Sequence, residues 1–151
     1  MKKELEERLA EEFPFMRKRI SLNEQMAAGA VTDLYSAYGC ENRNGWYELL
    51  RGLCREITEI YEKYGCPVEL IPDQVKEKYG TLRFYYSLPS ADDEIHKNIA
   101  KEIREAVVKY ERLSGEVCEE CGKSGKLHHE LPYICVLCDD CYRNTIIEKY
   151  R

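Results

Sequence analysis

An α+β fold is predicted for this 151-residue chain by three features of its sequence. Apolar residues recur at three- and four-residue steps in two long segments, the period changes to two between those segments, and cysteines gather in pairs near the C-terminus. The expected architecture is two or three helices packed on a small antiparallel β-hairpin or sheet, followed by a small cysteine-rich module. The body is placed at residues 1–115 and the module at 116–151, packed on the body because the linker into Cys118 is only a few residues long.

In chain order, residues 2–12 predict a charged helix stopped near Pro14, and residues 22–38 a second helix. The segment from Gly39 to Gly45 reads as a turn. From Trp46, the positions Leu49, Leu50, Leu53, Cys54, Ile57, Ile60, Tyr61 and Tyr64 trace one helical stripe, which Gly65 closes. Cys54 lies on that stripe and reads as a packed core thiol. Val68, Leu70 and Ile71 predict a strand piece. Residues 74–86 then predict strand, turn at Lys78–Gly80 and strand, with Leu82, Phe84 and Tyr86 on one face and Arg83 and Tyr85 on the other. Ser90 with Asp93 fits a capping box for a helix whose face is Ile95, Ile99, Ile103, Val107, Tyr110 and Leu113, closed at Ser114-Gly115.

Composition narrows the function classes. Lys and Arg number 23 against 28 Asp and Glu, a net charge of −5. A protein of that balance gains little from long-range attraction to duplex nucleic acid, so a duplex partner is not expected. Twelve tyrosines against three phenylalanines form a polar-tipped aromatic set suited to half-buried surfaces and binding sites. No apolar run approaches the ~20 residues of a membrane span, and the N-terminal segment lacks the apolar core of an export signal. A cytoplasmic setting is therefore the expectation.

Of the eight cysteines, Cys40, Cys54 and Cys66 are scattered, whereas Cys118, Cys121, Cys135, Cys138 and Cys141 cluster. Two Cys-x-x-Cys pairs form a metal pattern, because a two-residue gap lets both thiolates face one ion and a second pair completes a tetrahedron. Thiolates are soft ligands and favour zinc over Mg²⁺ or Ca²⁺; a four-thiolate iron–sulfur cluster is the alternative. The expected ligands are Cys118, Cys121, Cys138 and Cys141. Cys135 offers a second register, but it belongs to an expected hairpin of residues 126–130 and 133–137, whereas Cys141 leads into a final helix through Tyr142, Ile146, Ile147 and Tyr150. Knuckle, hairpin and helix in that order make a treble-clef-like zinc module. Asp139 and Asp140 complement the dipole at that helix start. Four thiolates leave no position for water, so the zinc is expected to be structural.

His128-His129 between the two Cys pairs resembles treble-clef nucleases of the HNH type, in which one histidine activates water and another holds a catalytic metal. The departures are a short stretch of eight residues from His129 to Cys138, no Asn in that stretch and no histidine in the helix after Cys141. A degenerate HNH-like metal-dependent nuclease is accordingly the alternative reading, and His96 reads as a surface residue.

Three blocks carry a wider resemblance: Gly45-Trp46-Tyr47 with the helix to Cys54, the stretch from Gln74 to Tyr85 (QVKEKYGTLRFY), and Cys118-x-x-Cys121-Gly122 with Leu137-Cys138-Asp139. Over residues 38–142 the chain resembles a family of small tailed-phage and prophage proteins, mostly without assigned function. The resemblance implies a phage or mobile-element context, hence the host cytoplasm, and one zinc knuckle module. It supplies no catalytic residues and does not extend to His128 and His129. Small accessory phage proteins often act on host machinery or host defence, so a counter-defence role follows from that class.

No nucleophile–base pair, Gly-rich phosphate loop or paired-carboxylate motif is legible, which favours binding over catalysis. Lys76, placed across the hairpin from Arg83 and Tyr85, makes a small cationic and aromatic surface, with Trp46 and Tyr47 closing one side. These five residues are the expected ligand site, for a nucleotide or short oligonucleotide or, with the aromatics as anchors, for a host protein.

Overall fold

The computed structural model describes residues 1–90 and 92–149 and is an α+β fold. Helix α1 (Lys3–Glu12) ends where Phe13 leaves the helical region and Pro14 opens a 3₁₀ turn through Met16. The single helix expected over 22–38 is two short ones, α2 (Leu22–Ala27) and α3 (Leu34–Tyr38). The break is held by buried Gln25, whose amide donates to Asp33 O at 3.0 Å and accepts from the Thr32 and Asp33 N–H groups at 2.9 and 2.8 Å. Asp33 then caps α3 by accepting from Ser36 N.

The segment expected as a turn before Trp46 contains a two-residue strand, β1 (Cys40–Glu41). It pairs in parallel with β2 (Ile71–Lys78), and β2 pairs antiparallel with β3 (Thr81–Ser87), so the sheet is mixed, in the order β1-β2-β3. Val68 and Leu70 precede β2 and do not form a separate strand piece. Register sets the faces. Val75 opposes Phe84 and Lys76 opposes Arg83. Val75, Leu82 and Phe84 face the core, while Gln74, Lys76, Arg83 and Tyr85 face outward.

Against the inner face lie α4 (Tyr47–Lys63) and α5 (Glu94–Ser114). From α4 the core takes Leu50, Leu53, Cys54, Ile57, Ile60 and Tyr61, and from α5 it takes Ile99, Ile103, Ala106 and Val107. Ile95 and Leu113, at the two ends of the expected α5 stripe, are exposed. The cap of α5 is Asp93, which accepts from His96 N, and not Ser90, because the helix starts four residues after that serine.

The C-terminal module is a knuckle at Cys118–Gly122, the hairpin β4 (Lys126–His128) and β5 (Cys135–Leu137), and helix α6 (Asp139–Lys149). Tyr150, expected on the last helix, lies outside the described residues.

Candidate metal centre

The four sulfurs of Cys118, Cys121, Cys138 and Cys141 lie within 4.8 Å of one another. A tetrahedral ion with metal–sulfur bonds of ~2.3 Å requires edges of about 3.8 Å, and the Cys121–Cys138 edge is 3.6 Å. The gathered sulfurs thus have the size of a four-thiolate metal site. Cys135 is buried across the hairpin from His128 and does not join the cluster.

Backbone hydrogen bonds shape the knuckle. Cys118 N–H donates to Lys123 O at 2.8 Å, and Gly122 N–H donates to Cys118 O at 2.9 Å. On the other arm, Tyr142 N–H donates to Cys138 O at 2.9 Å, so the second Cys pair rides on the first turn of α6. The Cys141 backbone N–H bonded to the Cys138 sulfur draws that thiol down to about 7, favouring the thiolate that a metal needs. Burial pushes the Cys141 thiol up. Only Cys121 of the four is exposed; it opens on a depression of about 570 Å³ shared with Tyr47, Tyr110 and Glu120.

Glu119, between the knuckle ligands, joins the module internally and to the body. Its buried carboxylate accepts from Val136 N at 2.7 Å, its own N–H donates to Val136 O at 2.9 Å, and its carbonyl accepts from Gly45 N at 2.8 Å. Burial holds its carboxyl above the usual range. Gly45 is required by this approach, since a Cβ there would stand 2.2 Å from Cys118 O.

Trp46 is fully buried, and its indole N–H donates to Val117 O at 2.9 Å, next to the first ligand. This corrects the expectation that Trp46 closes a ligand surface: its ring is core, and its polar edge anchors the metal module. Tyr47 is separated from the sheet face, lining the depression beside Cys121. The structure does bring Lys76, Arg83 and Tyr85 together. Lys76 and Arg83 oppose each other, and the Lys76 ammonium lies 5.6 Å from the Tyr85 ring centroid. Arg83 donates to Thr81 Oγ1 at 2.7 Å and Leu82 O at 3.0 Å, both neutral acceptors.

His128 and His129 part company. His129 is exposed, whereas His128 is 3% exposed and stacks on Tyr142 with ring centroids 4.1 Å apart. Its Nδ1 is 2.7 Å from Glu130 Oε1; a carboxylate only accepts, so that nitrogen carries the proton, and the bond draws the Glu130 carboxyl down to about 2. Among the described residues, no second group of three His, Cys, Asp or Glu ligands gathers around either histidine. His96 bridges Asp93 at 2.7 Å and Glu69 at 3.4 Å, at the start of α5.

No protein-family model matches the chain, and no curated protein or solved structure matches it. No helix among the described residues is long and apolar enough to cross a membrane.

Proposed function

We propose that the protein is a non-enzymatic accessory protein of the phage type, whose four cysteines hold a structural zinc and whose outer sheet face binds a small anionic ligand, a nucleotide or short oligonucleotide. Zinc is the favoured occupant because four thiolates form a soft, closed tetrahedral set that leaves no open position for substrate. The phage setting is supported by the three sequence blocks already described, and a role against host defence accords with it.

The observation that carries the binding reading is the state of the cations on the hairpin. Lys76 and Arg83 are cross-strand neighbours, Lys78 follows on the same face, and among the described residues none of the three has a carboxylate within ion-pairing distance. An Arg fork beside an ammonium and a tyrosine ring can hold a phosphate and stack a base. The carboxylate of Glu41, on the adjoining strand, accepts from Gln74 Nε2 at 2.9 Å.

Calorimetry with a nucleotide panel tests this. Arg83→Ala weakens binding by roughly 1.5–3 kcal/mol, the range for a charge-assisted hydrogen bond, with the melting temperature nearly unchanged because the side chain's bonds are to its own strand. A wild-type protein that binds no nucleotide would shift the reading to a host protein docked on the same aromatics. Incubation with Mg²⁺, Mn²⁺ or Ni²⁺ and several nucleic-acid substrates is expected to give no cleavage; cleavage lost in His129→Ala would instead establish the nuclease reading.

A further inference from the structure

The hairpin face continues past Lys78 to an exposed tip. Gln74 opposes Tyr85, and Lys78 opposes Thr81, so the row of outward side chains runs from Gln74 to Lys78, four residue-to-residue steps along β2. At ~3.3 Å per residue this is about 13 Å. At the tip, Tyr79 has φ 55 and is 69% exposed. A two-residue turn with both φ values positive favours Asn or Gly at its first position, and a bulky aromatic there is uncommon. The following Gly80 has φ +75, a conformation glycine adopts without strain, and a Cβ on it would also meet Leu127 Cδ1 of the β4–β5 hairpin at 2.3 Å. The turn geometry thus explains the glycine and leaves the tyrosine unexplained.

Beside the tip lies a groove of about 540 Å³ between the two hairpins, lined by Lys76, Lys78, Tyr79, Pro132, Tyr133 and Glu77. The Lys78 ammonium sits 5.8 Å from the Tyr79 ring centroid, and the Arg43 guanidinium, which is also ion-paired with Glu120, sits 5.0 Å from that of Tyr133. The groove's carboxylate, Glu77, accepts from Gly80 N–H at 2.7 Å. Each exposed ring therefore carries a cation, which is how a base and its phosphate are held together.

We infer that this face binds a single-stranded oligonucleotide of about three or four nucleotides, laid along the hairpin from Tyr85 past Arg83 and Lys76 to Tyr79 and Tyr133 in the groove. The inference rests on the anionic-ligand reading above and names its occupant. A stacked strand advances about 3.4 Å per nucleotide, so ~13 Å of hairpin matches that length, and a mononucleotide would engage one end only. Stacking on the tyrosines requires unpaired bases, which excludes a duplex.

The test is fluorescence anisotropy on the full-length, metal-loaded protein with labelled dT4 and U4, competed by dTMP, dT2 and an eight-base-pair duplex. Affinity is expected to rise tenfold or more from dTMP to dT4, with the duplex far weaker. Tyr79→Asn is expected to keep or raise the melting temperature, because Asn tolerates positive φ, yet to lower dT4 affinity about tenfold, as loss of one stacked base does, while dTMP affinity is unchanged. Arg83→Ala lowers both. Equal affinity for dTMP and dT4, or a Tyr79→Asn protein that binds dT4 normally, overturns the oligonucleotide inference and leaves the nucleotide reading standing. Failure of dTMP, dT4 and U4 alike overturns both.

Discussion

At Glu119 a single buried side chain satisfies the Val136 N–H while the residue's backbone reaches both Val136 and Gly45. Glu119→Ala leaves that N–H buried without a partner, and a cost of about 1–3 kcal/mol is expected in urea unfolding of the metal-loaded protein; Glu119→Gln, which keeps an acceptor oxygen, is expected to lose less. His96 gives a pH-dependent counterpart far from the metal. The Asp93 hydrogen bond, with Glu69 adding charge, raises the His96 pKa above 6.5. A raised folded-state value means the imidazolium is stabilised by folding. Its contribution is complete below pH 6.5 and is lost as pH climbs through the raised value. The melting temperature of His96→Gln is therefore expected to fall less than that of the wild type over that interval; identical pH profiles would show that His96 does not contribute. The four clustered cysteines were legible because a metal site demands a spacing visible in one dimension. Trp46 and His128 were not, since what each does is decided by burial and by partners remote in sequence, Val117 for the indole and Tyr142 for the imidazole ring.

The elements that carried periodic patterns, α4, the β2–β3 hairpin and α5, lie where the pattern put them, because each needs one apolar face against the core. What carried no period was not legible. Two residues of β1 show no alternation, and the break between α2 and α3 depends on what the Gln25 amide bonds to rather than on propensity. Gly45 and Gly80 lie where the body touches the C-terminal module. Gly45→Ala drives a Cβ into the Cys118 and Glu119 backbone, which cannot yield as a side chain could. A loss of about 3 kcal/mol is expected, the upper end of overpacking costs. Gly65→Ala is the control. Gly65 has φ +66 with no atom within 4 Å of the added Cβ, so only the left-handed strain remains, about 1 kcal/mol. Equal losses in the two variants, measured by chemical denaturation, would show that the contact at Gly45 is not tight.

Across the whole molecule, the body and the C-terminal module meet through backbone and indole bonds around Gly45, Trp46 and Glu119 and through the apolar contact of Gly80 with Leu127. Small modules of this size bury too little apolar surface to hold themselves, and a bound metal supplies the missing free energy. Removing it separates four cysteines whose thiolates repel, so the module is expected to open and release its contacts with the body. Trp46 is the only tryptophan, fully buried and bonded one residue from the first of the clustered cysteines, so its emission is placed to sense this step. The most direct measurement is Trp46 emission during removal of the metal by a chelator, alongside elemental analysis. One zinc per chain, a red shift and intensity change in step with metal loss, and recovery when Zn²⁺ is returned are expected. A protein purified with well under one equivalent of metal, or an unchanged Trp46 spectrum after complete metal loss, would contradict it.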